Sequence, residues 1–179
     1  MKEYLTIDDG NISLSVFDDL IGFTQDYEYI SPINDVRSMS GKLYRQTTYK
    51  KLMTTISMSS AFKPSGLHDL DSSDSHTLNC VVPLDFRVNY FPFVVPFKVK
   101  DSSEVKVYES INGELVLASN QVINVSSNVA TVTSITENPN ADYRIVRAFP
   151  YIVGFISPIR ESLNSRDGTY TWTFSIQEQ

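Results

Sequence analysis

Along the last stretch of the chain, apolar and polar residues take strict turns. Tyr170, Trp172, Phe174 and Ile176 alternate with Thr171, Thr173 and Ser175. A period of two places one set on each face of a β-strand, so this segment is expected to be a strand with one dry face, running from Thr169 to Ile176. The same alternation recurs in Leu52-Thr54-Ile56-Met58, in Leu84-Phe86-Val88-Tyr90 and from Val129 to Ile135. Turn signals divide these runs. Asp8-Asp9-Gly10-Asn11 separates strands expected at 4–7 and 12–17, Asn112-Gly113 precedes a strand at Leu115–Ala118, and Ser126-Ser127-Asn128 separates Val122–Val125 from Val129–Ile135. Such pairs between apolar runs are hairpin signals, because the tight turns that match strand twist need positive backbone φ angles.

Further strands are expected from Met53 to Ser60, between Leu78 and Tyr90 with a break at Pro83, at Phe97–Val99, at Val105–Glu109, and at Tyr143–Phe149 and Tyr151–Ile156 about Pro150. Asp101-Ser102-Ser103, Asn138-Pro139-Asn140 and Asp167-Gly168 read as turns, and the polar stretch from Lys63 to His76 as a loop. Helix is allowed only within Phe17–Tyr29, whose pattern is ambiguous, and as one turn at Arg160–Leu163. The expected fold is therefore mainly β: antiparallel sandwich or barrel-like sheets with hairpins and at most one or two short helices. Residues 1–179 are read as a single β-rich domain, with a small β-hairpin subdomain at about 97–140, where turns recur every 8 to 12 residues.

Composition supports this reading. Ten Tyr and ten Phe in 179 residues suit pleated, half-buried surfaces and argue against disorder. The formal net charge is −6, which disfavours a nucleic-acid partner. The lone cysteine, Cys80, cannot form an intramolecular disulfide, and its apolar neighbourhood Leu78-Asn79-Cys80-Val81-Val82 marks it as a core residue. The first nine residues lack a signal-peptide core, and the apolar run Phe91–Phe97 is too short to span a bilayer. Synthesis in the cytoplasm and no membrane partner are expected.

Candidate chemistry is sparse. The segment His68-Asp69-Leu70-Asp71-Ser72-Ser73-Asp74-Ser75-His76 groups three carboxylates with both histidines. Counted from Asp69, the calcium-loop positions that need Gly and Glu hold Asp74 and Cys80, so that template fails and a solvated loop is the plainer reading. No Gly-x-Ser-x-Gly elbow, His-Glu-x-x-His pair or phosphate-binding glycine loop occurs. No carboxylate has an apolar sequence context that would tune it for glycoside hydrolysis. No enzymatic activity, metal or cofactor is expected.

Two segments stand out as surfaces. Lys42, Arg45, Lys50 and Lys51 interleave with Tyr44 and Tyr49, a pattern suited to contacts with an anionic partner or, more simply, to the charged outer face of a strand. Phe91-Pro92-Phe93-Val94-Val95-Pro96-Phe97 is stiff and apolar, fit for a crossover between sheets or for an interface patch. Arg45, Lys50, Lys51, Phe91, Phe93 and Phe97 are the candidate interface residues, with the hairpin about Ser126 as a further contact element.

Gly41-Lys42-Leu43-Tyr44-Arg45, followed by Tyr49-Lys50-Lys51-Leu52, Thr54-Thr55-Ile56-Ser57, Pro64, Leu67 and Leu78-Asn79-Cys80, resembles small structural tail proteins of long-tailed bacteriophages. The closing strand with Trp172, ending at Glu178, is also similar. The resemblance covers under a third of the chain. Gln46-Thr47-Thr48 and Asp71-Ser72-Ser73-Asp74 stand where that family often has an Asn-Gly turn and a Trp-Pro-Gly turn. It implies a virion protein of the distal tail, baseplate or minor tail type. Such a protein would form a homo-oligomeric ring, most often of six copies in that family, joining the tail tube to the tip or hub, with no catalytic residues. The alternative from another class is a carbohydrate- or receptor-binding β-sandwich, in which exposed aromatic rings would stack on sugars.

Overall fold

The structure, a computed structural model, describes residues 4–8, 11–15, 21–47, 49–60, 67, 70–166 and 168–179. About two thirds of the described residues are strand and very few are helical, so the fold is mainly β, as the alternation predicts. In chain order the strands are β1 (Tyr4–Ile7), β2 (Ile12–Ser15), β3 (Ile21–Ile30), β4 (Ile33–Arg37), β5 (Leu43–Thr47), β6 (Lys51–Ser60), β7 (Ser75–Asn79), β8 (Leu84–Val88) and β9 (Phe93–Lys98). They continue as β10 (Val105–Ile111), β11 (Glu114–Leu117), β12 (Ser119–Ser126), β13 (Val129–Thr136), β14 (Tyr143–Ala148), β15 (Tyr151–Ile156), β16 (Arg160–Asn164) and β17 (Thr169–Glu178). The chain forms two compact units. The first comprises Met1–Leu14 and Thr77–Ile152, the second Ser15–His76 and Val153–Gln179.

The second unit is built on a sheet in which β17 lies between β6 and β15, and β6 between β17 and β3. All of these pairs are antiparallel. Trp172 stands opposite Met58, Phe174 opposite Ile56 and Ile176 opposite Thr54. All six are buried, and along β6 every second residue is. Side chains on the same face of paired strands are neighbours, so the alternation seen in the sequence becomes one apolar layer. Each large apolar side chain taken out of water there contributes about 2 kcal/mol. On the opposite face hydroxyls meet instead: Ser57 and Thr173 lie 3.1 Å apart, as do Ser59 and Thr171.

The first unit contains a β-sandwich. One sheet has the order β11-β10-β14-β8 and the other β12-β13-β9. Rings cross between them, with Phe86 of β8 at 5.9 Å from Phe93 and 5.7 Å from Phe97 of β9. Val88, Val95, Val105, Val107, Ala130, Val132, Val146 and Ala148 complete the core. Where the chain leaves β11, the Gln121 side chain acts as a surrogate strand for β10. Its Oε1 accepts from the Val107 N–H at 2.8 Å and its Nε2 donates to the Val107 carbonyl at 3.1 Å. β1 pairs with β7 through Thr6–Asn79 and Ile7–Leu78. Cys80 is fully buried, as its apolar neighbours predict.

The hairpins form where the turn residues place them. Asn112 and Gly113 take φ of 53° and 86°, and Ser127 and Asn128 take 49° and 62°. Each pair makes a two-residue loop, closing Ile111 on Glu114 and Ser126 on Val129.

Both segments allowed as helix are instead strand wherever they are described. Residues 21–30 form β3, held against β6, with an irregularity in register between Ile21 and Thr24 at Gly22 (φ 77°). Arg160–Leu163 belongs to β16, which pairs with β17 from Arg160–Thr173 to Asn164–Thr169. The first segment fits both periods and the second is too short to favour either, so pairing with a strongly patterned neighbour decides the outcome. The strand expected at Phe97 begins at Phe93 and runs through Pro96. β9 pairs with β13 alone, and an edge strand tolerates a residue that lacks an N–H. The loop expected up to His76 gives way to β7 at Ser75. Asp9 and Gly10 of the first turn, residues 17–20, most of 61–69 and Asp167 lie outside the described residues.

Gly154 sits so close to β17 that an added Cβ would overlap the Gln177 carbonyl. The variant Gly154→Ala is expected to lose about 3 kcal/mol in urea denaturation, because the pairing of β15 with β17 must shift to admit one methyl group. An unchanged denaturation midpoint would contradict that packing.

Candidate functional site

The basic, aromatic segment folds into a two-stranded ribbon. Among the described residues β4 and β5 pair only with each other, in the register Asp35–Arg45 and Arg37–Leu43. The tip is closed by Ser38: its N–H donates to the Lys42 carbonyl at 3.0 Å, and its carbonyl accepts from the Gly41 N–H at 2.8 Å. Gly41 adopts φ of 82°, a left-handed geometry that glycine takes without cost. Arg45 holds Asp35 through two parallel bonds, Nε to Oδ1 at 3.0 Å and Nη2 to Oδ2 at 3.2 Å. Both side chains are exposed, so this clip fixes register more than it adds stability.

The ribbon carries apolar groups into water. Met39 is wholly exposed at its tip, and Leu43, Tyr44 and Tyr49 are exposed along and just beyond β5. Cations lie over the rings: Lys42 Nζ is 5.5 Å from the Tyr44 centroid, Lys51 Nζ 5.4 Å from Tyr49, and Lys50 Nζ 4.0 Å from Tyr29. Each such contact contributes about 0.5–1 kcal/mol at an exposed site. Burial, and secondarily the charge of Glu178, hold the Tyr29 phenol above its usual ionisation range. Arg45, Lys50 and Lys51 thus all belong to the second unit, Arg45 on the ribbon, Lys50 just before β6 and Lys51 at its start.

Phe91, Phe93 and Phe97 belong to the first unit and divide by strand periodicity. Phe93, Val95 and Phe97 face the sandwich core, and Phe97 is buried. Val94 and Pro96 face outward, and Phe91 is half-buried. The stretch therefore places Phe97 inside the sandwich rather than on its surface. One apolar surface escaped the sequence reading. Leu115, Val116 and Leu117 are all exposed on β11, the edge strand of its sheet. Three consecutive aliphatic residues in a four-residue strand cannot all face one side, which is the signal that could have revealed it. At the hairpin about Ser126, Val122 and Val129 are exposed.

The polar loop resolves into local bonds. The Asp71 carboxylate accepts from the Ser73 N–H and hydroxyl, each at 2.8 Å, and these bonds hold it below the usual carboxylate range. His76 is buried in β7 with Nε2 2.7 Å from the Asp71 carbonyl. Among the described residues no three His, Cys, Asp or Glu side chains converge as metal ligands would; His68 and Asp69 lie outside them. Trp172, 1% exposed, offers no ring to a sugar. Phe155, 46% exposed, borders an open groove of about 330 Å³ lined also by Lys51, Gln177 and Glu178.

Glu109 is a buried charge. Its Oε1 accepts from Arg144 Nε at 3.2 Å and from the Asn138 N–H at 3.0 Å, and Arg144 also reaches Glu137 at 3.3 Å. This triad pins the turn at 138–140 to the sandwich, a structural arrangement rather than a reactive one. Arg144→Met is expected to destabilise the protein by about 3–5 kcal/mol in denaturant titration by stranding the Glu109 charge, and adding Glu109→Gln to it should recover part of that loss. No recovery would show that the guanidinium acts through packing alone. Comparison of the chain with known protein families, with curated proteins and with solved structures finds no match in any of the three.

Proposed function

We propose that this chain is a non-enzymatic structural subunit of a bacteriophage tail, assembling into a closed ring at the distal tail or baseplate where the tube meets the tip. The observation that carries the reading is the β4–β5 ribbon. An isolated two-stranded hairpin is marginal in water, and this one exposes Met39, Leu43 and Tyr44. Groups of this kind gain free energy when a partner covers them, and closed rotational symmetry repeats the gain at every interface. The likeness of Gly41–Arg45 and Tyr49–Leu52 to tail proteins points the same way, because those residues form the ribbon and the strand that follows it. The antiparallel sheets suit a subunit that must hold its surfaces rigid.

Light scattering on the size-exclusion peak of the purified chain, with negative-stain microscopy, tests this. The expected result is a discrete ring that co-migrates with the tail-tube or tip protein encoded beside it. A monomer at every concentration that associates with neither would contradict the proposal.

A further inference from the structure

We propose that the β4–β5 ribbon of one copy docks on the acidic β3 edge of the next copy, a head-to-tail contact that closes the ring. This inference rests on the ring reading above and specifies its interface. The ribbon, residues 33–47, contains Arg37, Lys42 and Arg45 against Asp35 alone, a charge of +2; the whole chain carries −6, which leaves −8 on the remainder. A basic ribbon on an acidic body is complementary to a second copy of itself.

The target on that second copy is defined by strand geometry. β3 is the last strand of its sheet, paired with β6 on one side. Asp26 and Glu28 stand two residues apart on one face, opposite Thr55 and Met53, and both are exposed. Alternate residues of a strand repeat at about 7 Å, so the two carboxylates form a short acidic row, bounded at its Ile30 end by Lys51 of β6. The ribbon offers Arg37 and Lys42 beside Met39, Leu43 and Tyr44, all exposed. Its apolar groups would form the dry centre of the contact, and its charges would steer the approach and fix register. Among the described residues β4 pairs with β5 and β3 with β6, so neither β4 nor β3 serves as the other's strand partner within one chain. Ribbon and edge are different surfaces, so the contact is heterologous and generates a ring when its rotation closes.

A charge swap tests the pairing. Arg37→Glu with Lys42→Glu, and separately Asp26→Lys with Glu28→Lys, should each weaken self-association about tenfold or more in sedimentation velocity while leaving the far-ultraviolet circular dichroism unchanged. All four substitutions together should restore association to within about threefold of the original. As a control, the ribbon reversal combined with Glu114→Lys and Asp142→Lys has the same net charge and should stay weak. Unchanged association of the ribbon reversal would overturn this inference and leave the ring reading standing. Absence of rescue by the fourfold swap, or equal rescue by the control, would also overturn it. An original chain that never associates would overturn both.

Discussion

The pairing of β17 with β6 is the constraint from which the second unit follows. It runs in unbroken register from Tyr170–Ser60 to Gln177–Met53. Within it, Trp172, Phe174 and Ile176 share a buried face with Ile56 and Met58. A slip of one residue would turn every side chain of β17 over, putting Thr171, Thr173 and Ser175 into the apolar layer and the indole into water. At about 2 kcal/mol for each large side chain, three such inversions would exhaust much of the 5–15 kcal/mol that holds a typical domain folded. The opposite face reinforces the register with paired hydroxyls, Ser57 to Thr173 and Ser59 to Thr171. β3, β15 and β16 then take their places along these two strands.

The first unit solves the same problem with less regular means. Its sheets are shorter, and the core is wedged by Phe86 against Phe93 and Phe97. Polar side chains take over where strands end. Gln121 stands in for a neighbouring strand, and Glu109 with Arg144 holds a turn. A buried ion pair adds little net stability, since desolvation offsets the attraction. Its effect is to disfavour any arrangement in which the two charges are apart. In the second unit the ribbon stands at the other extreme: it exposes apolar groups and, among the described residues, its two strands pair only with each other.

Much of this was legible from single residues. Asn112-Gly113 and Ser127-Asn128 gave their hairpins because few residues accept positive φ at both turn positions. The dry face of β17 was legible because the alternation is strict. Two segments resisted. Nothing local in Phe17–Tyr29 or Arg160–Leu163 excludes helix; the competing pull of β6 and β17 comes from residues distant in sequence. The candidate surface was legible in part. Arg45, Lys50 and Lys51 announced a charged strand; Arg45 stands on the ribbon and the two lysines where the chain enters β6. The fate of Phe97 was not legible, since an inward and an outward residue look alike until strand register is fixed. The same holds for Met39, whose exposure depends on the ribbon having no other strand beside it.

The central claim is that a rigid sheet presents a ribbon which only assembly covers. Hydrogen exchange followed by mass spectrometry measures this directly, because amide protection reports local opening. In the isolated subunit, amides of β6 and β17 should exchange slowest and those of β4 and β5 fast. On assembly the ribbon amides should slow while β6 and β17 stay unchanged. A ribbon already as protected as β17 in the monomer, or one whose exchange is unaltered in the assembled state, would contradict the account.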